Sequence, residues 1–456
     1  GVMQRLFAAF QHAGYALYLV GGAVRDLVRG VPYTALTDFD FATDALGEAT
    51  AATLRTAGFP VFLVGSQFGT IGTLLEDGTR RIDVQITTFR GDLYTPGSRK
   101  PVVTFSRTLA DDLHRRDFTF NAMAHDRTGA LLDPYGGRLD LAAGVLRTVR
   151  DPRCTFYEDP LRMLRAARFI ATLGVQPSPN TTLAIRLMAA EILTISRERW
   201  FQELQKLLVG PYAPEALRFL SDTGLLAALL PEVQLLVDDP GPVGKYHNRT
   251  LWDHTLAVVA ATPAIPHLRW AALLHDIGKV ATRSITPDGS VHFYGHEDAS
   301  AAMVPAIADR FRFDGKLRHD VYNLVSMHMA PHRYSPDWPA GSVRRLARGA
   351  GHLLADLLDL ATADVQGHHP VHLEASLQRL QALRARLAST PVAPATVSLV
   401  PRGLGEAVMA EFGLPPGPEV GRRRMQVEQA ILDGRIAHDS DVAACLAFLR
   451  SLEPSA

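Results

Sequence analysis

Two short stretches near the start of the chain hold residues whose types and spacing suit phosphate chemistry. In Thr37-Asp38-Phe39-Asp40-Phe41 two carboxylates alternate with two phenyl rings. At the two-residue period of a strand, Asp38 and Asp40 fall on one face while Phe39 and Phe41 point into the core. Paired carboxylates on one rigid strand are hard oxygen donors, suited to Mg²⁺ that bridges substrate phosphates. Upstream, Leu19-Val20-Gly21-Gly22-Ala23-Val24-Arg25-Asp26 reads as strand, tight turn and helix. Bare N–H groups at Gly21 and Gly22 suit a triphosphate, and Arg25, one turn into the helix, is placed to hold a phosphate. Taken singly, a double glycine is an ordinary turn and Asp-x-Asp an ordinary strand edge; in this order they point to nucleotide transfer. Asp83, in Arg81-Ile82-Asp83-Val84-Gln85-Ile86, is a candidate third carboxylate, against its reading as a solvated strand charge.

A second concentration of charge follows. Asp111-Asp112-Leu113-His114-Arg115-Arg116-Asp117 precedes the apolar Phe118-Thr119-Phe120, which argues for a site rather than a plain surface. In Glu158-Asp159-Pro160-Leu161-Arg162-Met163-Leu164-Arg165-Ala166-Ala167-Arg168-Phe169, Asp159 reads as an N-cap and Pro160 as the first helical residue. The plain account is a capped helix with an Asp159–Arg162 pair, worth a few tenths of a kcal/mol. Arg162, Arg165 and Arg168 also recur every three residues, a stripe drifting about 60° per step at 3.6 residues per turn. Three unpaired arginines on one stripe suit phosphates and base edges better than a core.

The third set lies between residues 247 and 369 and comprises His247, His254, His275-Asp276, His296, His328 and Asp364, mostly in helical patterns. Trp270-Ala271-Ala272-Leu273-Leu274 places the vicinal His275-Asp276 at the end of an apolar helix, where imidazole and carboxylate can share a metal. A lone histidine there is usually a packed core residue, whereas His, His-Asp, Asp spread over separate helices is a divalent-metal pattern. His296 and His328 extend it toward a second ion. Nitrogen donors mixed with carboxylates fit Mn²⁺, Ni²⁺, Fe²⁺ or Co²⁺, and the implied chemistry is metal-assisted hydrolysis of a phosphate ester. The competing account is a domain that keeps the ligands for stability alone.

Positioning these groups requires a small α+β unit followed by helices. Residues 1–17 read as a helix with Leu6, Phe7 and Phe10 on its apolar face, and residues 47–58 as another. Runs at 61–65, 70–75 and 81–86 read as strands, with Asp77-Gly78 as a hairpin signal. Residues 89–104, with Gly91, Pro96, Gly97 and Pro101, read as an irregular loop, and from about residue 150 long helical patterns dominate. The 456 residues, 47% hydrophobic and 21% charged, fit two to four globular domains. No apolar run approaches the roughly 20 residues that span a bilayer, and no basic patch leads into an apolar segment at the start, so no membrane association and a cytoplasmic location are expected. Cys154 and Cys445 match no zinc or redox spacing. With 47 basic and 47 acidic residues, nucleic-acid contact would rest on local basic clusters.

These motifs closely resemble the bacterial class II tRNA nucleotidyltransferases, the CCA-adding enzymes of the DNA polymerase β-like superfamily, in the form that carries an HD phosphohydrolase domain. The resemblance covers nearly the whole chain. It implies Gly22 and Arg25 at the nucleotide, Asp38 and Asp40 at the metals, and Arg116 on the triphosphate or ribose. Glu158-Asp159-Pro160-Leu161-Arg162 is similar to the family's Glu-Asp-x-x-Arg motif. By that likeness Asp159 and Arg162 are the amino-acid template for the Watson–Crick edge of CTP or ATP, and Arg165 and Arg168 hold phosphates. A carboxylate accepts from the exocyclic amine that C and A share, and U and G present the wrong pattern. Arg197-Glu198-Arg199 resembles the next helical motif, which steadies the neck. Two departures stand out: the 89–104 segment lacks the acidic and paired-arginine pattern, leaving Arg99 as its clearest match, and Gln85 falls where Glu is common.

The resemblance thus implies a polymerase β-like head over residues 1–145, a helical neck over 146–235, an HD domain over 236–385 and a helical tail over 386–456. The implied partners are the tRNA acceptor arm, CTP and ATP, with addition of CCA, of CC or of A alone left open. Poly(A) polymerases share the head and neck motifs but usually carry a Gly-Arg-Arg-Phe-like run, where this chain has Val64-Gly65-Ser66-Gln67-Phe68-Gly69-Thr70. The rival from another class is an HD phosphohydrolase with an inactive head.

Overall fold

The computed structural model describes residues 1–65, 69–93, 102–106, 108–239, 241, 250–366, 370–390, 398–437 and 439–452. Arg99, His247 and the Ser66-Gln67-Phe68 run lie outside the described residues. The chain forms two compact units, Gly1–Leu229 and Leu230–Ala456.

Nine strands in the first unit concern the site: β1 (Leu17–Val20), β2 (Asp38–Thr43), β3 (Phe62–Gly65), β4 (Thr70–Asp77), β5 (Arg80–Thr88), β6 (Arg90–Leu93), β7 (Val102–Phe105), β8 (Ala124–His125) and β9 (Leu131–Leu132). Seven of them form one mixed sheet in the order β3-β4-β5-β2-β1-β8-β9. The β4–β5 hairpin turns at Gly78, as the Asp77-Gly78 signal predicts, and β2 runs parallel to β5. Segment 89–104 departs from the expected irregular loop: its ends pair as the antiparallel ribbon β6–β7, because Arg90 and Phe105 open a continuous register.

The two-residue period of β2 is realised. Asp38 and Asp40 are exposed, and Phe39 and Phe41 are buried. Phe41 meets Phe7 edge-on at 5.6 Å, and Phe39 lies 5.3 Å from Tyr33. Burial of each ring contributes roughly 1.5–3 kcal/mol, so the sheet core, not the carboxylates, fixes which way the acids point. Phe7 comes from the first helix, Val2–His12, which buries Val2, Leu6 and Phe10.

Helices complete this unit. Leu161–Leu173 buries Met163, Leu164, Ala166, Ala167 and Ile170 and leaves its arginine stripe half-buried. In the second unit, Leu251–Ala261, Pro266–Leu274, His296–Phe311, Gly315–Met327 and Leu354–Val365 each bury at least one polar residue among apolar neighbours. Leu404–Phe412, Pro418–Leu432 and Val442–Ser451 share a separate core of Leu404, Val408, Val427, Ala430 and Leu449 that includes Cys445. Among the described residues no helix is long and apolar enough to cross a membrane.

One close approach underlies the site. At Gly137, which begins the helix Gly137–Ala142, an added Cβ would stand 2.2 Å from the Thr119 carbonyl oxygen and 2.9 Å from the Phe120 Cα. Those atoms belong to the tight turn Thr119–Asn121 that delivers Asn121 to Arg25. Backbone cannot yield as a side chain does, so Gly137→Ala is expected to lower the unfolding free energy by about 1–3 kcal/mol, read from urea denaturation followed by circular dichroism. An unchanged midpoint would show that the turn has room to move.

Candidate active site and metal centre

Strand β1 ends at Val20, and the chain reverses into the helix Gly22–Val28 through Gly21, whose φ of 73° and ψ of −137° favour glycine. A Cβ at Gly21 would come within 3.3 Å of Arg116 Nη1 and 3.6 Å of Asp40 Oδ2, so the bare backbone fits between those two groups. In the parallel pair β2–β5, Asp38 stands opposite Asp83 and Asp40 opposite Gln85. Asp38, Asp40 and Asp83 therefore share one exposed face, with Asp83 beside Asp38. Partial desolvation lifts the Asp40 carboxyl above its ordinary range; Arg116 opposes the rise and Asp38 adds to it. A carboxylate whose ionised form is disfavoured, on a face it shares with two more acids, is a donor that a divalent cation relieves.

Asp40, Gly21 and Gly22 line a cavity of about 470 Å³ together with Arg25, Arg115, Arg116, Asn121, Asp159, Arg162, Arg165, Phe169 and Arg199. Asp117 and Arg168 also reach it. Every arginine of the predicted stripe faces this space, and none of the three is unpaired. Arg165 Nη2 is 2.6 Å from Asp117 and Arg168 Nε is 2.7 Å from Glu203, while Arg162 lies 3.4 Å from Glu158 and donates to the Arg115 carbonyl at 2.8 Å. The expectation of unpaired arginines fails because Asp117 and Glu203 arrive from other segments, which helical spacing alone does not reveal. Arg116 and Arg115 share the buried Asp112 at 2.9 and 3.2 Å.

Asp159 is extended (φ −142°, ψ 97°) and ends the helix Pro152–Glu158; the next helix begins at Leu161 with Pro160 as its N-cap, one residue later than expected, and Asp159 Oδ1 accepts from Leu161 N at 3.1 Å across that junction. Its charged partner is Arg199, 2.9 Å away, rather than Arg162, because Arg162 is drawn toward Glu158 and the Arg115 carbonyl. Asp117 belongs to the charged run that argues for a site, whereas Asn121, Phe169 and Glu203 have no site role in the sequence reading. The dense charge before Phe118 was the signal for Asp117, and no local pattern marks Glu203, one acid in an amphipathic helix.

The second unit gathers the predicted histidines and acids in its interior. His254, His275, Asp276, His296, His328 and Asp364 are all buried. His254 Nε2 is 3.0 Å from Asp364 and 3.4 Å from Asp276, and His275 Nε2 is 3.2 Å from Asp276. Across Asp276, His296 Nε2 lies 3.4 Å from Oδ1 and 3.1 Å from His328 Nε2. His275, His254 and Asp276 form one group with metal-ligand spacing, and Asp276, His296 and His328 another. The Nδ1 atoms of His275, His296 and His328 face the carbonyls of Ala272, Phe293 and Val325 at 2.7–2.8 Å. Donation there fixes the tautomer that turns each Nε2 lone pair inward, as metal-ligating histidines are held.

Asp276 Oδ2 faces Lys279 Nζ at 2.7 Å, and burial, helped by the nearby His275 charge and opposed by Asp276, pushes the His328 ring down to about 3. Burial lowers the His296 ring as well, whereas His275, although buried, is lifted to about 10 by Asp276. Buried carboxylates ringed by inward-facing imidazole nitrogens are a donor set that fits a cation. His332, 2.9 Å from Asp364, joins the group and was missed because a single His in a short turn carries no spacing signal.

Burial alone would raise the Asp117 carboxyl, but Arg165 and the Asn121 side chain bring it down to about 2 from 3.8. A depressed carboxylate stabilises the fold above its unfolded value and loses that contribution as pH falls toward 2. The difference is worth on the order of 2 kcal/mol. Asp117→Asn is therefore expected to flatten the decline of urea-unfolding free energy between pH 4 and pH 2; identical pH profiles for both proteins would contradict the Asp117–Arg165 assignment.

Comparison with known proteins agrees with this arrangement. Residues 17–147 match the Poly A polymerase head domain, 174–236 the probable RNA and SrmB-binding site of polymerase A, and 251–365 the HD domain. The CCA-adding enzyme of Geobacillus stearothermophilus is 39% identical over 68% of this chain and 70% of its own length. Matches to three further Geobacillus CCA-adding enzymes span 50–54% of their length. The A-adding tRNA nucleotidyltransferase of Deinococcus radiodurans is 33% identical over 93% of this chain and 94% of its own. A crystal structure of the Bacillus stearothermophilus CCA-adding enzyme in complex with CTP superposes with a TM-score of 0.68 at 29% identity, covering 99% of this chain and 97% of the other. With a head, an RNA-binding segment and an HD domain in this order, the chain belongs to the family of tRNA nucleotidyltransferases that includes the CCA-adding and A-adding enzymes.

Proposed function

We propose that this chain adds nucleotides of the 3′-terminal CCA to tRNA, taking them from CTP and ATP. The observation that carries the reading is the convergence of Asp40, the double-glycine turn and seven arginines on one cavity, in a chain that aligns along 94% of an A-adding tRNA nucleotidyltransferase. In this reading residues 1–145 form the catalytic head, 146–235 the neck, 236–385 the HD domain and 386–456 the tail that grips the acceptor arm.

Asp38 and Asp40 would hold Mg²⁺, with Asp83 beside Asp38 as a third carboxylate. When bound, Mg²⁺ supplies Lewis acidity to the tRNA 3′-hydroxyl and to the departing pyrophosphate. The protein's own groups then position the reactants. Arg25, Arg116, Arg165 and Arg168 hold the phosphates, and Gly21 and Gly22 let them approach the backbone. Asp159, with acceptor capacity left beside Arg199 and Leu161 N, takes the exocyclic amine of C or A. Arg162, its guanidinium anchored on Arg115 and Glu158, donates to the base edge. The template is thus a pair of side chains held apart by their own partners.

In the second unit His254, His275, Asp276 and Asp364 would hold a divalent transition ion, Mn²⁺, Ni²⁺, Fe²⁺ or Co²⁺, and His296 and His328 would share Asp276 with a second. Hydrolysis of a phosphate ester is the chemistry such a centre supports.

Two independent sites make separable predictions. Asp40→Ala is expected to reduce CMP incorporation to background while metal-dependent phosphatase activity persists, and Asp276→Ala to do the reverse; loss of both activities in either variant would argue against two centres. Addition of A alone is the second reading, favoured by the whole-length likeness to the Deinococcus enzyme. Incubation with Mg²⁺, labelled CTP or ATP and transcripts ending before CCA, after C and after CC separates the two. Extension of all three is expected of a complete enzyme, and extension of the CC-ended transcript alone would assign A addition.

A further inference from the structure

Phe169 occupies the middle of the arginine cluster, where neither hydrogen bonding nor charge calls for an aromatic ring. Its side chain is buried yet lines the cavity. The ring meets Phe118 at 5.6 Å and Phe120 at 5.2 Å, both edge-on, which fixes its plane. Around it stand three guanidinium carbons, those of Arg168 at 4.2 Å, Arg25 at 5.4 Å and Arg165 at 5.6 Å from the centroid. All lie inside the roughly 6 Å over which a ring's quadrupole attracts a cation.

The three cations come from two places in the sequence. Arg25 follows the double-glycine turn, and Arg165 and Arg168 belong to the same helix as the ring. Asp26 and Glu203, which pair with Arg25 and Arg168, do not line the cavity, and Asp117, which does, is taken up by Arg165 at 2.6 Å. A further carboxylate between the arginines would hold them together, but it would also cancel charge that an incoming anion needs. An aromatic face attracts cations without carrying net charge, so it gathers them and leaves the cavity positive.

We propose that Phe169 is a positioning residue for the polyphosphate: its ring holds Arg25, Arg165 and Arg168 as a preassembled cage for the pyrophosphate part of the nucleotide. The proposal rests on the reading of this cavity as a nucleoside triphosphate site. It assigns the ring an electrostatic task beyond packing, and the two separate when the ring's charge distribution changes and its shape does not.

The test uses the full chain carrying 3,4,5-trifluorophenylalanine in place of Phe169, where fluorine weakens the negative face at nearly constant volume, beside Phe169→Leu. Calorimetric titration with inorganic pyrophosphate and with CTP is paired with melting temperatures. The fluorinated protein is expected to keep its melting temperature, to bind pyrophosphate about tenfold more weakly, as loss of a desolvated cation–π contact implies, and to show a raised KM for CTP with a nearly constant kcat. Unchanged pyrophosphate affinity in the fluorinated protein would overturn the proposal, whatever Phe169→Leu does to folding. Failure of the wild-type protein to bind either ligand would instead remove the triphosphate reading beneath it.

Discussion

Positive charge concentrated around one cavity is the constraint on which the first unit depends. Seven arginines converge there from the Gly22–Val28 helix, the Arg115-Arg116 turn, the Leu161–Leu173 helix and the Arg197–Leu208 helix. Left to themselves they would repel one another and extend into water. Acids set behind the lining hold them: Asp112 for Arg115 and Arg116, Glu158 for Arg162 and Arg150, Glu203 for Arg168. Asp117, in the lining itself, holds Arg165. Because Asp112, Asp117 and Glu203 are themselves buried, removing any one leaves guanidinium groups partly desolvated and unpaired, a larger cost than loss of an exposed pair. The fold thus supports the site, and its polar contacts join the Arg115-Arg116-Asp117 segment to the Leu161–Leu173 helix.

The second unit solves the opposite problem. Two buried carboxylates, Asp276 and Asp364, lie among imidazoles whose Nδ1 atoms face backbone carbonyls at helix ends. Negative charge is concentrated there, with Lys279 2.7 Å from Asp276 as a fixed counter-charge. Its buried carboxylates are the converse of the arginine lining of the first cavity. Asp276 sits between both histidine groups, so a change at this one carboxylate reaches imidazoles from three helical segments.

Much of both sites was legible in sequence because the relevant spacings are local. Asp-x-Asp on a strand specifies one face by the pleat, and the structure keeps Asp38 and Asp40 exposed over buried Phe39 and Phe41. Arginines three apart on a helix specify a stripe, and all three reach the cavity. Where the reading failed, the missing information was a partner distant in sequence. The Asp159–Arg162 pair looked natural at helical spacing, yet Arg199, forty residues on, takes Asp159. Segment 89–104 looked irregular from its glycines and prolines, yet its ends pair as strands.

By itself the sequence marked the candidate residues, Asp38, Asp40, the arginine stripe and the histidine–aspartate set, and, through periodicity, the element many of them stand on. It also determined family membership, since motif order and spacing survive along the whole chain. Only the tertiary structure decided which charges neutralise which, that Asp83 stands beside Asp38, that Asp276 joins two histidine groups, and that Phe169 collects three guanidinium groups. The physical reason is range. Pleat and helix repeat within a few residues, whereas ion pairing and ring–cation contact depend on distances set by how whole elements pack.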